Sequence, residues 1–294
     1  MSCKVCKSPR TVPAFEHQGF SFVRCSECTH LWVEGASADD AQYDSAYYAP
    51  ESHDAGLHTG YDDYLRNLDR RIGGFRGRMA QLEKITGSGG RLLDFGCAVG
   101  ACVKAAKDRG WDAIGCERST WAAEYGRRTL GVDIVVGDIG DTTIFQSGSF
   151  DVVTLWDVLE HLDRPREVIA SIARLLRPGG FVALNTVNSS SIGARVAGRQ
   201  WRHLAPPYHL PYFTPASLKR LLADAGFETV RREVNGVMFG SGRETRRLPG
   251  PLRIIEDAVT HWRSRPIATM LNLLDEIDIT AVRRRAPSTS GIGK

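Results

Sequence analysis

Three carboxylates and four thiols are spaced in this sequence so that they can do chemistry. Asp94 stands in the string Leu92-Leu93-Asp94-Phe95-Gly96-Cys97-Ala98-Val99-Gly100, where an apolar run gives way to a turn of small residues. Open α/β sheets bind ligands at the carboxyl ends of their strands, so an acid at this spot faces whatever the sheet holds. A dinucleotide site calls for G-x-G-x-x-G and a helix N-terminus presented to pyrophosphate. Here the string is Gly96-x-Ala98-x-x-Ala101, and no Gly-Lys-Ser/Thr follows. A carboxylate beside such a turn repels phosphate and suits a ligand that is positive there, such as the ammonium and sulfonium of S-adenosylmethionine. Gly96 and Gly100 let the backbone approach that ligand closely. Glu117 follows Asp94 by 23 residues, the distance at which an acid takes both ribose hydroxyls. Asp138, in Val-Val-Gly-Asp-Ile, is placed to meet the adenine amino group, with Ile139 against the ring face.

The thiols form a second constellation. Cys3 and Cys6 make one CxxC knuckle, and Cys25 and Cys28 make another, with eighteen residues between the two. Four thiolates so arranged fit a tetrahedral Zn²⁺, whose bonds can fold a segment too small to have its own core. With all four positions thiolate, the site is closed and structural. His17 and His30 lie nearby as bystanders. Histidines supply the third constellation. Glu160 and His161 follow the apolar run Phe150–Leu155, and Trp201, His203, Tyr208, His209 and Tyr212 crowd one later segment. Methyl transfer needs nucleophile and electrophile held in line, and a hydroxyl or C–H nucleophile also needs a base, commonly histidine near neutral pH. His209, His161 and Tyr208 are therefore the candidate catalytic residues, and the surrounding aromatics suit a flat or ring-shaped acceptor.

The elements that must position these residues alternate as strand and helix, which demands a parallel sheet. Strands are expected at 91–95, 112–117, 134–136, 150–155, 181–186, 227–234 and 278–284. Helices are expected at 102–109, 121–130, 165–176 and 215–225, with 251–276 also helical. Before them, 64–84 has an amphipathic helical pattern that the pair Gly73-Gly74 weakens. The expected organisation is a zinc-ribbon module at 1–35, a linker and helical lead-in at 36–88, a catalytic domain at 89–285 with a helical insertion at 240–276, and a disordered tail at 286–294.

Over 89–285 the sequence resembles class I S-adenosylmethionine-dependent methyltransferases. Asp94-Phe-Gly96-Cys-Ala98-Val-Gly100 is similar to that family's D-x-G-x-G-x-G, with Ala98 replacing the middle glycine. FDVVTLWDVLEHLDRP and LLRPGGFVALNTVN resemble its fourth- and fifth-strand regions, in the branch of quinone-ring O-methyltransferases. The resemblance implies an α/β, Rossmann-like sheet of seven strands with an antiparallel last strand, preceded here by the small zinc ribbon. It also implies that Trp156 and Asp157 border the cofactor. The cysteine pairs joined to such a core resemble bacterial sugar C-methyltransferases, in which a Glu-His pair does acid-base chemistry. Tyr208-His209 holds the matching place here, and the glutamate is missing.

The bulk numbers bound the rest. The chain has 294 residues, 42% hydrophobic and 24% charged, with a net charge of +4, a soluble globular composition without the concentrated basic face that nucleic-acid binding calls for. No apolar run is long enough for a membrane span, and MSCKVCKS lacks a signal-peptide core. Seven cysteines, four in tight pairs, favour metal over disulfides in a reduced, cytoplasmic protein. The expected reaction is methyl transfer from S-adenosylmethionine to a hydroxyl or activated carbon of a small molecule, either a glycan or nucleotide-sugar precursor or a secondary metabolite. The alternative is an RNA or protein methyltransferase that uses the ribbon for recognition. A non-enzymatic scaffold is the third class, and the intact Asp94, Glu117 and Asp138 argue against it.

Overall fold

A computed structural model describes residues 2–37, 64–138, 144–235 and 265–285. The cysteine-rich start is a small antiparallel sheet: β1 (Thr11–His17), β2 (Phe20–Cys25) and β3 (Leu31–Val33). Gln18 and Gly19 join β1 to β2 with φ of 49° and 80°, the two left-handed residues that a tight hairpin turn requires.

The main sheet has seven strands. In chain order they are β4 (Arg91–Phe95), β5 (Asp112–Glu117), β6 (Ile134–Val136), β7 (Phe150–Leu155), β8 (Leu176–Val187), β10 (Phe227–Asn235) and β11 (Glu276–Arg283), and in space they run β10-β11-β8-β7-β4-β5-β6. The five from β8 to β6 are mutually parallel, whereas β11 is antiparallel to both β8 and β10. This is the seven-stranded Rossmann-like sheet with a reversed last strand that the sequence resemblance implies. The two-residue strand β9 (Pro211–Tyr212) belongs to the small sheet, pairing with β3.

Helices α1 (Leu68–Thr86), α2 (Ala101–Lys107), α3 (Thr120–Leu130), α4 (Pro165–Leu175), α5 (Ile192–Ala197), α6 (Pro215–Asp224) and α7 (Arg265–Leu271) flank and connect the strands. Their starts follow local chemistry. The Ser119 hydroxyl caps α3 by accepting from Ala122 N, and Thr214 and Ser217 form a capping box at α6, with Pro215 opening it.

Two elements depart from the sequence pattern. Helix α1 runs unbroken through Gly73 and Gly74, which are exposed, because its apolar side is anchored elsewhere. Leu68 and Ile72 pack with Val99 and Ala105, and Met79 and Leu82 pack with Leu92 and Val103. Tertiary burial outweighs a glycine penalty of about 1 kcal/mol per residue. The strand expected from Phe181 begins at Leu176 instead. Phe150 pairs with Leu176 and Val152 with Phe181, so Arg177-Pro178-Gly179-Gly180 forms a bulge inside β8 and not a break before it. Of the helix expected over 251–276, residues 265–276 are described: α7 ends at Leu271, Asn272 turns the chain with a φ of 53°, and Glu276 already opens β11, so the last turn of the expected helix is replaced by the approach to the sheet. The expected linker is described from residue 64, and the tail at 286–294 lies outside.

Two glycines show how tightly the turn side of the sheet is packed. A Cβ on Gly115 would sit 2.3 Å from Cys97 Sγ, and one on Gly126 would sit 2.5 Å from the Val99 carbonyl oxygen. A thiol can rotate away, but a backbone carbonyl in the turn cannot. Gly126→Ala is expected to push α3 off the turn and destabilise the fold by about 2 kcal/mol, measured by urea denaturation. An unchanged midpoint would contradict this packing.

Candidate functional site

Strands β4, β5, β6 and β7 all end at one edge of the sheet, and their last residues build the first half of the site. Asp94 is 2% exposed. It stands in register with Thr154 across β4 and β7, and the Thr154 hydroxyl donates to Asp94 Oδ1 at 2.6 Å. Burial pushes the Asp94 carboxyl up to about 7, and the nearby Glu117 carboxylate adds to the rise. The turn after β4 wraps back towards β5, with Gly96 N and Cys97 N both donating to the Cys116 carbonyl. Ala98, Gly96 and Gly100 all have positive φ, of 50°, 65° and 84°. A Cβ on Gly96 would lie 2.6 Å from Val158, and one on Gly100 would lie 2.7 Å from Val132.

Glu117 is buried at the end of β5. Its Oε2 accepts from Ala98 N and its Oε1 from Ser119 N, each at 2.9 Å. Burial raises its carboxyl above the ordinary value. Each oxygen retains a further lone pair, so the carboxylate can fix the turn and still accept from ligand hydroxyls. No described basic side chain forms an ion pair with Asp94 or Glu117, so a bound cation and hydroxyl donors fit this pair of acids. Asp138 lies just past β6, exposed and 3.4 Å from Arg118. Ile139 lies outside the described residues.

Trp156 and Asp157 follow β7. The Trp156 indole donates to Cys102 Sγ at 3.2 Å, and Arg78 from α1 sits 4.9 Å above its ring. Asp157 has a φ of 56°, held by a two-way clasp with Asn185 on β8. Asp157 N donates to Asn185 Oδ1 at 2.8 Å, and Asn185 Nδ2 returns a bond to Asp157 Oδ1 at 2.5 Å.

The histidines make the second half. Rings of His161 and His209 meet edge-on at 4.9 Å between centroids, and His203 lies 6.0 Å from His209. Trp201 and Tyr212 close round them, at 5.3 Å from His203 and 6.4 Å from His209. His161 Nδ1 donates to the Tyr208 carbonyl at 2.9 Å and His209 Nδ1 to the His203 carbonyl at 2.8 Å. Each ring therefore keeps its Nε2 lone pair. Burial pushes both imidazoles below the ordinary histidine value, and His209 is lowered further by its neighbours His161 and His203. Tyr208 joins this cluster through its carbonyl. Beneath lie buried acids: Glu160 accepts from the Thr186 hydroxyl at 2.9 Å, and Asp275 holds both His203 at 3.1 Å and Arg202 at 2.8 Å. Burial and the Asp157 charge push Glu160 and Glu276 up to about 8.

All the described candidates at the strand ends thus gather at one edge, and the three histidines cluster beside Asp157. Thr154, Asn185, Arg78, Asp275 and Glu276 were not singled out from the sequence. Thr154 was legible as the residue that parallel pairing sets opposite Asp94, whereas the others needed the tertiary fold.

The cysteine cluster is separate. Cys3 and Cys28 sulfurs are 3.5 Å apart, as are those of Cys6 and Cys25, and all four lie within 4.8 Å of one another. Tetrahedral Zn–S bonds of about 2.3 Å separate the sulfurs by about 3.8 Å, so the four fit one ion. Val5 N donates to Cys3 Sγ at 3.4 Å, a bond that stabilises thiolate.

Residues 64–232 match a family model described as a methyltransferase domain. The chain is 31% identical over 163 residues to a ubiquinone biosynthesis O-methyltransferase of Thiobacillus denitrificans, covering 52% of this chain and 69% of that one. Among solved structures, a S-adenosylmethionine-dependent methyltransferase from Archaeoglobus fulgidus superposes with a TM-score of 0.54 at 18% identity, over 74% of this chain and 98% of that one. Magnesium protoporphyrin IX methyltransferase from Synechocystis, with S-adenosylhomocysteine bound, gives 0.52 at 16%, over 83% and 97%. The last two similarities concern the fold.

Buried Asp94 gives the site a pH signature. Its folded value lies above the unfolded one of 3.8, so between the two the unfolded chain binds fewer protons. Its contribution to stability is therefore present below pH 4 and is lost as pH rises through about 7. A cationic ligand beside Asp94 reverses the preference, because it favours the ionised acid. Affinity for S-adenosylmethionine is expected to fall about tenfold per unit as pH drops below 7, measured by calorimetry. Asp94→Asn should bind weakly with a flat profile; a wild-type profile as flat as the variant's would refute this role.

Proposed function

The chain belongs to the class I S-adenosylmethionine-dependent methyltransferases, and on that premise we propose that it methylates a hydroxyl oxygen of a small, flat acceptor. The observation that carries this reading is the pair of imidazoles, each with Nδ1–H fixed on a backbone carbonyl, a tautomer whose basic lone pair is on Nε2. Such a nitrogen, neutral at physiological pH, takes a hydroxyl proton as the oxygen attacks. Trp201 and Tyr212, both buried, back the histidine rings with flat apolar faces. The name of the Thiobacillus relative supports oxygen as the methylated atom.

S-adenosylmethionine, when bound, supplies an electrophilic methyl carbon. The chain's own residues do the rest by placement. Asp94 attracts the positive end of the cofactor, Glu117 accepts from its ribose hydroxyls, and Asp138 and Ile139 meet the adenine. Trp156 and Asp157 divide the cofactor space from the acceptor space, and the Asn185 clasp keeps Asp157 in its left-handed conformation. His209 and His161 receive the proton, with Tyr208 orienting His161 through its carbonyl. We assign the four cysteines to a structural Zn²⁺ in a reducing, cytoplasmic setting. Among the described residues no helix is long and apolar enough to cross a membrane.

The test is a screen of catechols, hydroxyquinols and sugar nucleotides with isotope-labelled methyl donor, read by mass and by the position of the label. Label on a phenolic or enolic oxygen supports the reading. Label on a sugar carbon would move the assignment to the nucleotide-sugar class. His209→Ala is expected to lower kcat by about 10²- to 10⁴-fold with S-adenosylhomocysteine affinity unchanged. Because burial keeps His161 and His209 below the ordinary histidine value, kcat should stay flat through neutral pH and decline only in the acid range.

A further inference from the structure

The segment that carries the acceptor histidines has little support of its own. Between α5 and α6 the chain from Trp201 to Phe213 holds one regular element, the two-residue β9, and two residues do not make a stable strand. Its partner comes from the other end of the sequence. Leu31 pairs with Tyr212 and Trp32 with Pro211, and Val33 N donates to the Leu210 carbonyl at 3.0 Å. Side chains reinforce the seam. His30 is fully buried between the rings of Trp32, at 5.7 Å, and Phe213, at 5.0 Å. Thr29 and Thr214 hydroxyls meet at 2.9 Å, which ties the knuckle to the cap of α6. From β9 the connection continues inward, since Leu210 N donates to the Glu160 carbonyl, beside His161.

β3 is itself only three residues long and starts three residues after Cys28. Its position is set by antiparallel pairing with β2 and by the second knuckle, where Cys25 N donates to the His30 carbonyl and Thr29 N to the Cys25 carbonyl. Among the described residues that knuckle is held to the first where the four sulfurs converge, along the β1–β2 hairpin, through Arg10, whose carbonyl accepts from Ser26 N and whose guanidinium pairs with Glu27, and by the packing of Val5 with Val23 and Trp32. Ordering each residue costs about 1–2 kcal/mol, more than two short strands recover by pairing, and metal–thiolate bonds can meet that cost.

We propose that the four-cysteine module is the positioning element of the acceptor site. A metal ion on Cys3, Cys6, Cys25 and Cys28 fixes β3, and β3 fixes the β9 segment that aims His203, His209 and Tyr212. That these side chains meet the acceptor rests on the function proposed above; the mechanical link from knuckle to segment does not. The cofactor half, carried by β4, β5 and β7, has no strand in this small sheet, so the module governs one half of the site and not the other.

The experiment compares the zinc-loaded full-length protein, the same protein stripped by chelator, and a zinc-loaded Val33→Pro variant. Val33 N–H bonds to Leu210 and not to β2, so proline removes the link to β9 while sparing the hairpin. Three quantities are read: amide exchange across 209–213 against β4 and β5, imidazole resonances of His203 and His209, and calorimetric affinity for S-adenosylhomocysteine. Stripping zinc should raise exchange at 210–213 by about tenfold or more, shift both imidazole signals, and leave cofactor-product affinity within about threefold. Val33→Pro should reproduce the exchange and imidazole changes with zinc retained and, once an acceptor is found, raise KM for it more than it lowers kcat. Unchanged exchange at 210–213 after stripping would overturn the proposal. So would loss of S-adenosylhomocysteine binding in step with zinc, because the module would then support the whole fold. Failure to find an oxygen acceptor would count against the proposed reaction and leave the exchange result standing.

Discussion

Glu117 commits both carboxylate oxygens to the backbone, one to Ala98 N and one to Ser119 N, and the cofactor edge of the sheet takes its shape from that commitment. The turn after β4 would otherwise be held at Ala98, a residue with a Cβ, in a left-handed conformation that costs about 1 kcal/mol. A buried acid that accepts two amide hydrogens compensates, since charge-assisted bonds are roughly twice as strong as neutral ones. The same contact joins the first turn to the start of α3. Strand β4, its turn, strand β5 and helix α3 therefore form one rigid unit before any ligand arrives, and Asp94 is buried within it. The family's middle glycine is dispensable here because Glu117 holds the alanine that replaces it.

Much of this half was legible in the sequence, for a physical reason. Parallel strands place their carboxyl ends together, so acids at the ends of three successive apolar runs must meet in space, whatever the loops do. Asp94, Glu117 and Asp138 needed no alignment to be grouped. Local patterns failed where tertiary contact outweighed them. Gly73 and Gly74 weaken a helix only in isolation, and α1 is pressed onto α2 along its opposite side. The Arg177-Pro178-Gly179-Gly180 run reads as a break and is a bulge, because β7 offers a partner on both sides of it.

The acceptor half was legible only as a composition. A stretch holding Trp201, His203, Tyr208, His209 and Tyr212 announces a cluster of rings, but nothing in its spacing gives the geometry. Pro211 argues against a strand, and β9 exists because it lies at an edge, where a missing N–H costs nothing, and because β3 arrives from more than 170 residues away. Nor does the sequence reveal that Tyr208 contributes a carbonyl, or that Asp275 and Glu276, at the start of β11, come to lie beside His203. Such contacts depend on the closed fold and have no periodic signature.

The two halves therefore differ in what makes them rigid. The cofactor half is part of a seven-stranded sheet, with its carboxylates fixed by backbone amides and a register-matched threonine. The acceptor half is a long connection stabilised from outside by a thiolate-tied ribbon, and from beneath by Glu160 and Glu276, whose carboxyls burial pushes up, and by Asp275, in which burial is outweighed by the His203 and Arg202 contacts that hold the carboxyl below its ordinary value. That asymmetry suits an enzyme with one invariant ligand and one variable one. A cofactor common to a whole family is best served by atoms of the core, where substitution is penalised by the fold itself. An acceptor is best served by a segment whose support can be altered without disturbing the sheet, and a small sheet closed by β3 and β9 provides it. The clasp between Asp157 and Asn185 joins the two halves, one partner on the turn after β7 and the other within β8, so in the proposed reaction the geometry of transfer is referred back to the core.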